Sequence, residues 1–358
     1  MRIASVATAY PPYRYSQSQI TGALKNVWQN KPAESKLLDR VHSNCGVEFR
    51  HLMFPIDSLG RFCGFGASND AWIEGALKLG QQSIQTALDR AGLTAADISA
   101  IFFASTTGIA TPSIDARLTN LMNFPKNIKR TPIFGLGCVA GAAGISRAAD
   151  YVRAYPKQYA ILLAVELCSL TWQTDDFSMA NLVATGLFGD GAAAVVLAGD
   201  KTPHGRSAKK VGKPCPRVLD TRSTLYPDTE HLVGWKFKDS GFNVVLSAEI
   251  PELVNKYLRS NVDAFLADND LCVEEICSFI FHSGGPKVLE AMESSLNLPP
   301  NALAASWNNL RDVGNLSSAS VLSIMEDYLM NRPGKPGSHS VLAAMGPAFC
   351  SELVLLQW

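Results

Sequence analysis

The chain has 358 residues, 47% of them apolar and 18% charged, a composition that fits a large globular core and not a disordered polymer. Lys+Arg and Asp+Glu stand at 32 each, so no global field draws the protein to nucleic acid or an anionic membrane, although a local basic patch for a phosphorylated ligand stays compatible. Arg2, Pro11, Pro12 and Arg14 interrupt the start and make it a poor secretion signal, and no apolar run approaches the ~20 residues that cross a bilayer, so a soluble, cytoplasmic protein is expected.

In chain order, Ser68-Asn-Asp opens a helix with Trp72, Ala76, Leu77, Ile84 and Leu88 near a 3.6 period, closed at Gly92. Strands are predicted at Ala100–Ala104, at Ile133-Phe, over Ala160–Val165 and, after a Gly189-Asp-Gly turn, over Ala192–Leu197. A connecting loop at 201–216, rich in Gly, Pro, Lys and Ser, divides an N-terminal half (1–200) from a C-terminal half (217–358). The second half offers a helix from about Glu249 to Leu266, a strand at Ser278–Phe281 and a helix after Gly284-Gly-Pro. A further helix after Gly314-Asn-Leu-Ser-Ser and a hairpin of Ser340–Ala344 with Glu352–Leu356 complete it. Alternating strands and helices imply an α/β fold of mixed sheets covered on both faces.

Eight cysteines stand at 45, 63, 138, 168, 215, 272, 277 and 350, with no CxxC pair and no Cys/His cluster of zinc spacing, so buried thiols are expected and no metal. Cys138 differs in its surroundings. Thr131-Pro-Ile-Phe-Gly-Leu-Gly-Cys-Val-Ala-Gly-Ala-Ala-Gly runs a strand into a helix of small residues and sets the thiol at a helix N-terminus, where the macrodipole and free N–H groups favour thiolate. A small hydrophobic cysteine in a tight turn is the competing reading. Phe281-His282-Ser-Gly-Gly-Pro places a histidine at the end of an apolar strand, and Gly314-Asn315-Leu-Ser-Ser places an asparagine at a similar corner.

The stretches Gly135-Leu-Gly-Cys-Val-Ala-Gly-Ala, Leu187-Phe-Gly-Asp-Gly-Ala-Ala, His282-Ser-Gly-Gly-Pro, Gly314-Asn-Leu-Ser-Ser-Ala and Ala344-Met-Gly-Pro-Ala follow one another over nearly the whole chain. In this order the sequence resembles the chalcone synthase superfamily, the type III polyketide synthases among the thiolase-like condensing enzymes. The resemblance implies a five-layered αβαβα fold with two related halves, assembled as a homodimer. It implies that Cys138 loads an acyl-CoA starter and that His282 pairs with it and keeps it ionised. His282 and Asn315 would then stabilise the enolate left by decarboxylation of malonyl-CoA. No cofactor beyond the acyl-CoA and malonyl-CoA substrates is implied.

The same resemblance assigns a gate between CoA tunnel and cavity to Phe188, with aliphatic Val244 in place of a second aromatic gatekeeper. Trp235 stands where plant enzymes carry glycine and is expected to shrink the cavity, an exposed or merely structural tryptophan being the other reading. Thr106, Thr107, Thr111, Thr171 and Ser317 match cavity hydroxyls, and Cys168 lies nearby as a second thiol or an inert buried one. Gly346-Pro347 matches a Gly-Phe-Gly-Pro-Gly loop, with the departures Met345 and Ala348. Arg40 matches one basic CoA position; Leu37 and Asn44 replace two others, for which Lys36 and Lys287 are candidate substitutes or plain surface lysines. Segments such as Val233-Gly-Trp-Lys-Phe and Val165-Glu-Leu-Cys-Ser-Leu-Thr look most like bacterial alkylpyrone and alkylresorcinol synthases, implying a fatty acyl starter. An initiating ketoacyl-carrier-protein synthase, with one condensation, and a non-catalytic thiolase-fold subunit are the rivals.

Overall fold

The computed structural model describes residues 1–28, 32–62, 64–206 and 215–358. Its strands are β1 (Arg2–Ala9), β2 (Tyr13–Ser16), β3 (Phe49–Leu52), β4 (Ile98–Ala104), β5 (Lys129–Ile133), β6 (Tyr159–Leu167) and β7 (Asp190–Ala198). The second half adds β8 (Arg217–Leu225), β9 (Val233–Lys238), β10 (Gly241–Leu246), β11 (Ile276–Phe281), β12 (His339–Gly346) and β13 (Cys350–Gln357). Among the described residues, nine strands align as β11-β12-β13-β8-β1-β7-β6-β4-β5, while β9 with β10 and β2 with β3 form two small ribbons.

The duplication is written in this order. In each half the first strand pairs antiparallel with the last (β1 with β7, β8 with β13), and the last pairs antiparallel with the strand before it. That strand in turn runs parallel to an earlier one, β6 beside β4 and β12 beside β11. Within the nine-stranded sheet the two halves are joined where β1 meets β8, at Arg2 and Arg217.

β6, β7 and β13 are buried on both faces, which is why they read as long, mostly apolar runs. Successive residues then serve different layers. In β6, Leu162 faces the helices Ala140–Ala154 and Ser320–Asn331, which lie between the two half-sheets and also touch Leu342 and Val354. Leu163, one residue on, faces the helix Phe65–Ala91 on the outer side. The helices Ile250–Ala267 and Pro286–Leu296 cover the far side of the C-terminal half through Val254, Leu258, Leu289 and Met292. Helix, sheet, helix, sheet, helix: the five layers of the thiolase-like α/β fold are present.

The central helices approach closely because their crossing residues are small. A Cβ on Gly141 would lie 2.2 Å from the Ser318 carbonyl oxygen, so only glycine permits this contact.

Several expectations shift on the structure. The first long helix begins at Phe65, three residues before the expected Ser68, and ends on left-handed Gly92. Gly189-Asp-Gly is no surface turn: Asp190 is buried at the start of β7 and accepts from the Met53 N–H and from the N–H and hydroxyl of Ser169. Of the expected connection over 201–216, Pro203–Arg206 forms a helical turn and 207–214 lie outside the described residues, as does Cys63.

Candidate active site

Cys138 lies in the 3-10 turn Gly137–Val139 that opens the central helix Ala140–Ala154. Gly137 takes φ +55, and a Cβ there would strike Pro347 at 2.5 Å, so the turn and the Gly346-Pro347 loop are fitted to each other through a missing side chain. Across the pseudo-repeat, Asn315 and the turn Ser317–Ala319 open the other central helix. The two helix starts meet: Cys138 Sγ and Ser317 Oγ are 3.4 Å apart. Ser317 holds φ +50, an unusual conformation for a side-chain-bearing residue, and its N–H donates to Asn315 Oδ1 at 2.7 Å.

His282 stands just past β11, its N–H donating to the Ala343 carbonyl at 2.9 Å. Its ring is buried, and Nδ1 has no hydrogen-bond partner among the described residues. Asn315 Nδ2 donates to the Gly284 carbonyl at 3.2 Å, which ties the asparagine corner to the histidine corner. Asn315 is also laced to the Phe188 segment: its N–H donates to Leu187 O at 2.9 Å, the Gly189 N–H donates to Asn315 O at 3.0 Å, and Phe188 bridges Asn315 directly. Cysteine, histidine, asparagine and phenylalanine therefore converge from four separate segments.

Burial acts on both groups. Burial pushes the Cys138 thiol up to about 12 and the His282 imidazole down to about 4. Sγ lies against Ser317, with no hydrogen bond to His282 among the described residues. Desolvation is the main cause in both cases, disfavouring the thiolate and the imidazolium alike.

A cavity of about 50 Å³ fronts the thiol, lined by Thr106, Thr107, Cys138, Cys168, Phe188, Trp235, Val244, Ser317 and Pro347, together with Val233, Val245 and Leu246. Trp235 and Val244 face each other across β9 and β10. The Trp235 indole N–H donates to Thr106 Oγ1 at 3.1 Å, so this tryptophan is a wall and not a surface residue. Two expected cavity hydroxyls lie elsewhere. Thr111 is exposed, because Asn69 clasps both the N–H and the carbonyl of Ile109 and leads the loop outward. Thr171 is buried behind the cavity with its hydroxyl donated to the Cys168 carbonyl at 2.8 Å.

Arg40, Lys36 and Lys287 are exposed. Pro286, next to Lys287, packs 3.0 Å from the Cβ position of Gly46, just beyond the helix Pro32–Ser43 that carries Lys36 and Arg40. Leu37 and Asn44 are exposed on the same segment.

Two buried charges escaped the sequence reading. Glu166 accepts from the Thr106 N–H at 3.1 Å, from Thr107 Oγ1 at 2.9 Å and from the Ser318 hydroxyl, and burial raises it to about 7. Arg50, on β3, bonds the Phe188 carbonyl. A lone charge inside an apolar strand was the available signal for Glu166; Arg50 stands among other polar residues and gave none.

Comparison with known proteins fits this geometry. The family model described as chalcone and stilbene synthases, N-terminal domain, matches residues 64–201, and its C-terminal counterpart matches residues 218–357. The chain belongs to the chalcone and stilbene synthase family. It is thus a type III polyketide synthase, an acyltransferase that works on CoA thioesters by iterative decarboxylative Claisen condensation with malonyl-CoA. The carrier-protein synthase alternative falls away. A 1,3,6,8-tetrahydroxynaphthalene synthase of Streptomyces peucetius subsp. caesius is 49% identical over 99% of this chain and 93% of its own length. A phloroglucinol synthase of Pseudomonas fluorescens is 31% identical over 98% of this chain and 97% of its own. The crystal structure of 1,3,6,8-tetrahydroxynaphthalene synthase from Streptomyces coelicolor A3(2), a bacterial type III polyketide synthase, superposes with a TM-score of 0.92 at 30% identity, covering 100% of this chain and 99% of that one.

Proposed function

We propose that this polyketide synthase uses malonyl-CoA as both starter and extender and closes the chain into a small polyhydroxylated aromatic of the tetrahydroxynaphthalene kind. The observation that carries the reading is 49% identity over 99% of this chain to a 1,3,6,8-tetrahydroxynaphthalene synthase. Malonyl-CoA as starter asks for no alkyl tail in the cavity that Trp235 walls. Tetrahydroxynaphthalene and phloroglucinol, the products in two relatives' names, carry no such tail.

Chemically, Cys138 passes its proton to His282 as Sγ attacks the thioester carbonyl, and the CoA thiolate leaves with that proton. Malonyl-CoA then loses carbon dioxide. The electron pair of the broken C–C bond becomes an enolate, whose thioester oxygen accepts from His282 and from the Asn315 Nδ2–H not committed to Gly284. The enolate carbon bonds to the acyl carbon on Cys138, expelling the sulfur as thiolate and leaving the longer chain on CoA. Transfer back to Cys138 starts the next round. Phe188 gates the passage, and Arg40, Lys36 and Lys287 neutralise CoA phosphates outside it.

The chain acts as a homodimer in the cytoplasm, where its CoA substrates reside. β5 supports this: it is a sheet edge, largely exposed, with Phe134 beside it 51% accessible. No helix among the described residues is long and apolar enough to cross a membrane.

A second reading keeps a fatty acyl starter and an alkylpyrone or alkylresorcinol product, favoured by the aliphatic wall of Val233, Val244, Val245 and Leu246. Mass spectrometry of products separates the two. A ten-carbon aromatic from malonyl-CoA alone supports the first. Products formed only when a long acyl-CoA is added, each carrying its alkyl chain, replace it with the second.

A further inference from the structure

Arg50 is fully buried, with 0% exposure, and burial lowers it only to about 10, so it is a cation at neutral pH. Its direct partners are uncharged oxygens. Nη1 donates to Thr185 O at 2.6 Å and to Phe188 O at 3.0 Å, and Nη2 donates to Gln17 Oε1 at 2.6 Å. Asp190, the nearby carboxylate, is occupied by Met53 and Ser169. A buried guanidinium without a carboxylate in contact is costly, and removing it strands the carbonyls it holds.

Those carbonyls belong to the gate. Thr185 lies in the last turn of the helix Met179–Leu187, and Phe188 caps it. The backbone around Arg50 is fitted to its stem: a Cβ on Gly314 would lie 3.0 Å from Arg50 Cγ and Cδ, and one on Gly189 3.5 Å from Cγ. Gly189 and Gly314 flank the rungs that join Phe188 to Asn315. One side chain thus underlies both the gate and the amide that faces the enolate. Gln17, the first residue of the helix Gln17–Val27, braces the arrangement from outside, its Nε2 also donating to Gly186 O at 2.8 Å.

We propose that Arg50, braced by Gln17, is a positioning residue that fixes Phe188 and Asn315 relative to Cys138 and so sets how many extensions precede release. It touches no substrate; it acts through the Phe188 carbonyl. The inference rests on iterative extension at Cys138, and wild-type enzyme run alongside keeps the two claims apart.

The readout is the ratio of truncated lactones to full-length product from malonyl-CoA, by liquid chromatography and mass spectrometry. This ratio does not depend on how much enzyme is folded. Arg50→Lys, which keeps the charge and loses the fork, is expected to raise the ratio about tenfold and to lower kcat more than it raises KM. Gln17→Leu, at a helix start on the periphery, is expected to shift the ratio in the same direction by about threefold. If Arg50→Lys does not fold, Gln17→Leu alone decides. A wild-type ratio in the folded variants, with activity tracking only the folded fraction, overturns the proposal. Wild-type enzyme that makes no polyketide overturns the functional reading beneath it.

Discussion

Burial raises the Cys138 thiol to about 12 and lowers the His282 imidazole to about 4, each through desolvation of its charged form. Cys138→Ala is expected to abolish product while leaving the melting temperature within a few degrees, checked by product assay and calorimetry. Glu166 gives a pH test with a definite sign. Its folded value of about 7 lies above the unfolded carboxylate value of about 4.5, so the folded state binds the proton more tightly. Stability therefore falls as pH rises from about 4.5 through 7, by at most about 3 kcal/mol. Glu166→Gln is expected to flatten that decline in denaturant midpoints measured between pH 5 and 8; an unchanged slope would refute the burial argument. Trp235→Gly is expected to enlarge the cavity and shift products toward longer chains by mass spectrometry. An unchanged product profile would remove Trp235 from length control.

At the scale of elements, the turns carry the most information. Ala348 sits at φ +54, where the resemblance leads one to expect glycine, so the loop keeps its left-handed shape with a Cβ that does not suit it. Ala348→Gly is accordingly expected to stabilise the fold by about 1 kcal/mol, read as a rise in the denaturant midpoint. Gly141→Ala does the reverse: its Cβ meets backbone, not a yielding side chain, and a loss of about 3 kcal/mol is expected by the same measurement. Elements legible in the sequence were those whose burial is uniform, such as β6, β7 and the β12–β13 hairpin, since an apolar run announces itself. β8 alternates charged and apolar residues with half-exposed positions, and the helix Ala304–Val313 buries only a narrow stripe, so neither stood out. The three corners at Cys138, His282 and Asn315 were visible through their glycines. Glu166 and Arg50 were not, because a buried charge is recognised by its partners, and those come from residues far along the chain.

For the whole molecule, duplication explains the site. Two half-sheets of related strand order enclose two central helices; Cys138 and Asn315 stand where those helices begin, and His282 where β11 ends. The exposed edge of β5 and Phe134 predict that Phe134→Glu weakens self-association, measured as a lower molar mass by light scattering at equal concentration. The most direct test of the account is intact-protein mass spectrometry of enzyme quenched during turnover of malonyl-CoA. A series of acyl adducts on Cys138, spaced by two-carbon ketide units and missing from Cys138→Ala, is the predicted result. Adducts on another residue such as Cys168, or turnover that persists in Cys138→Ala, would contradict it.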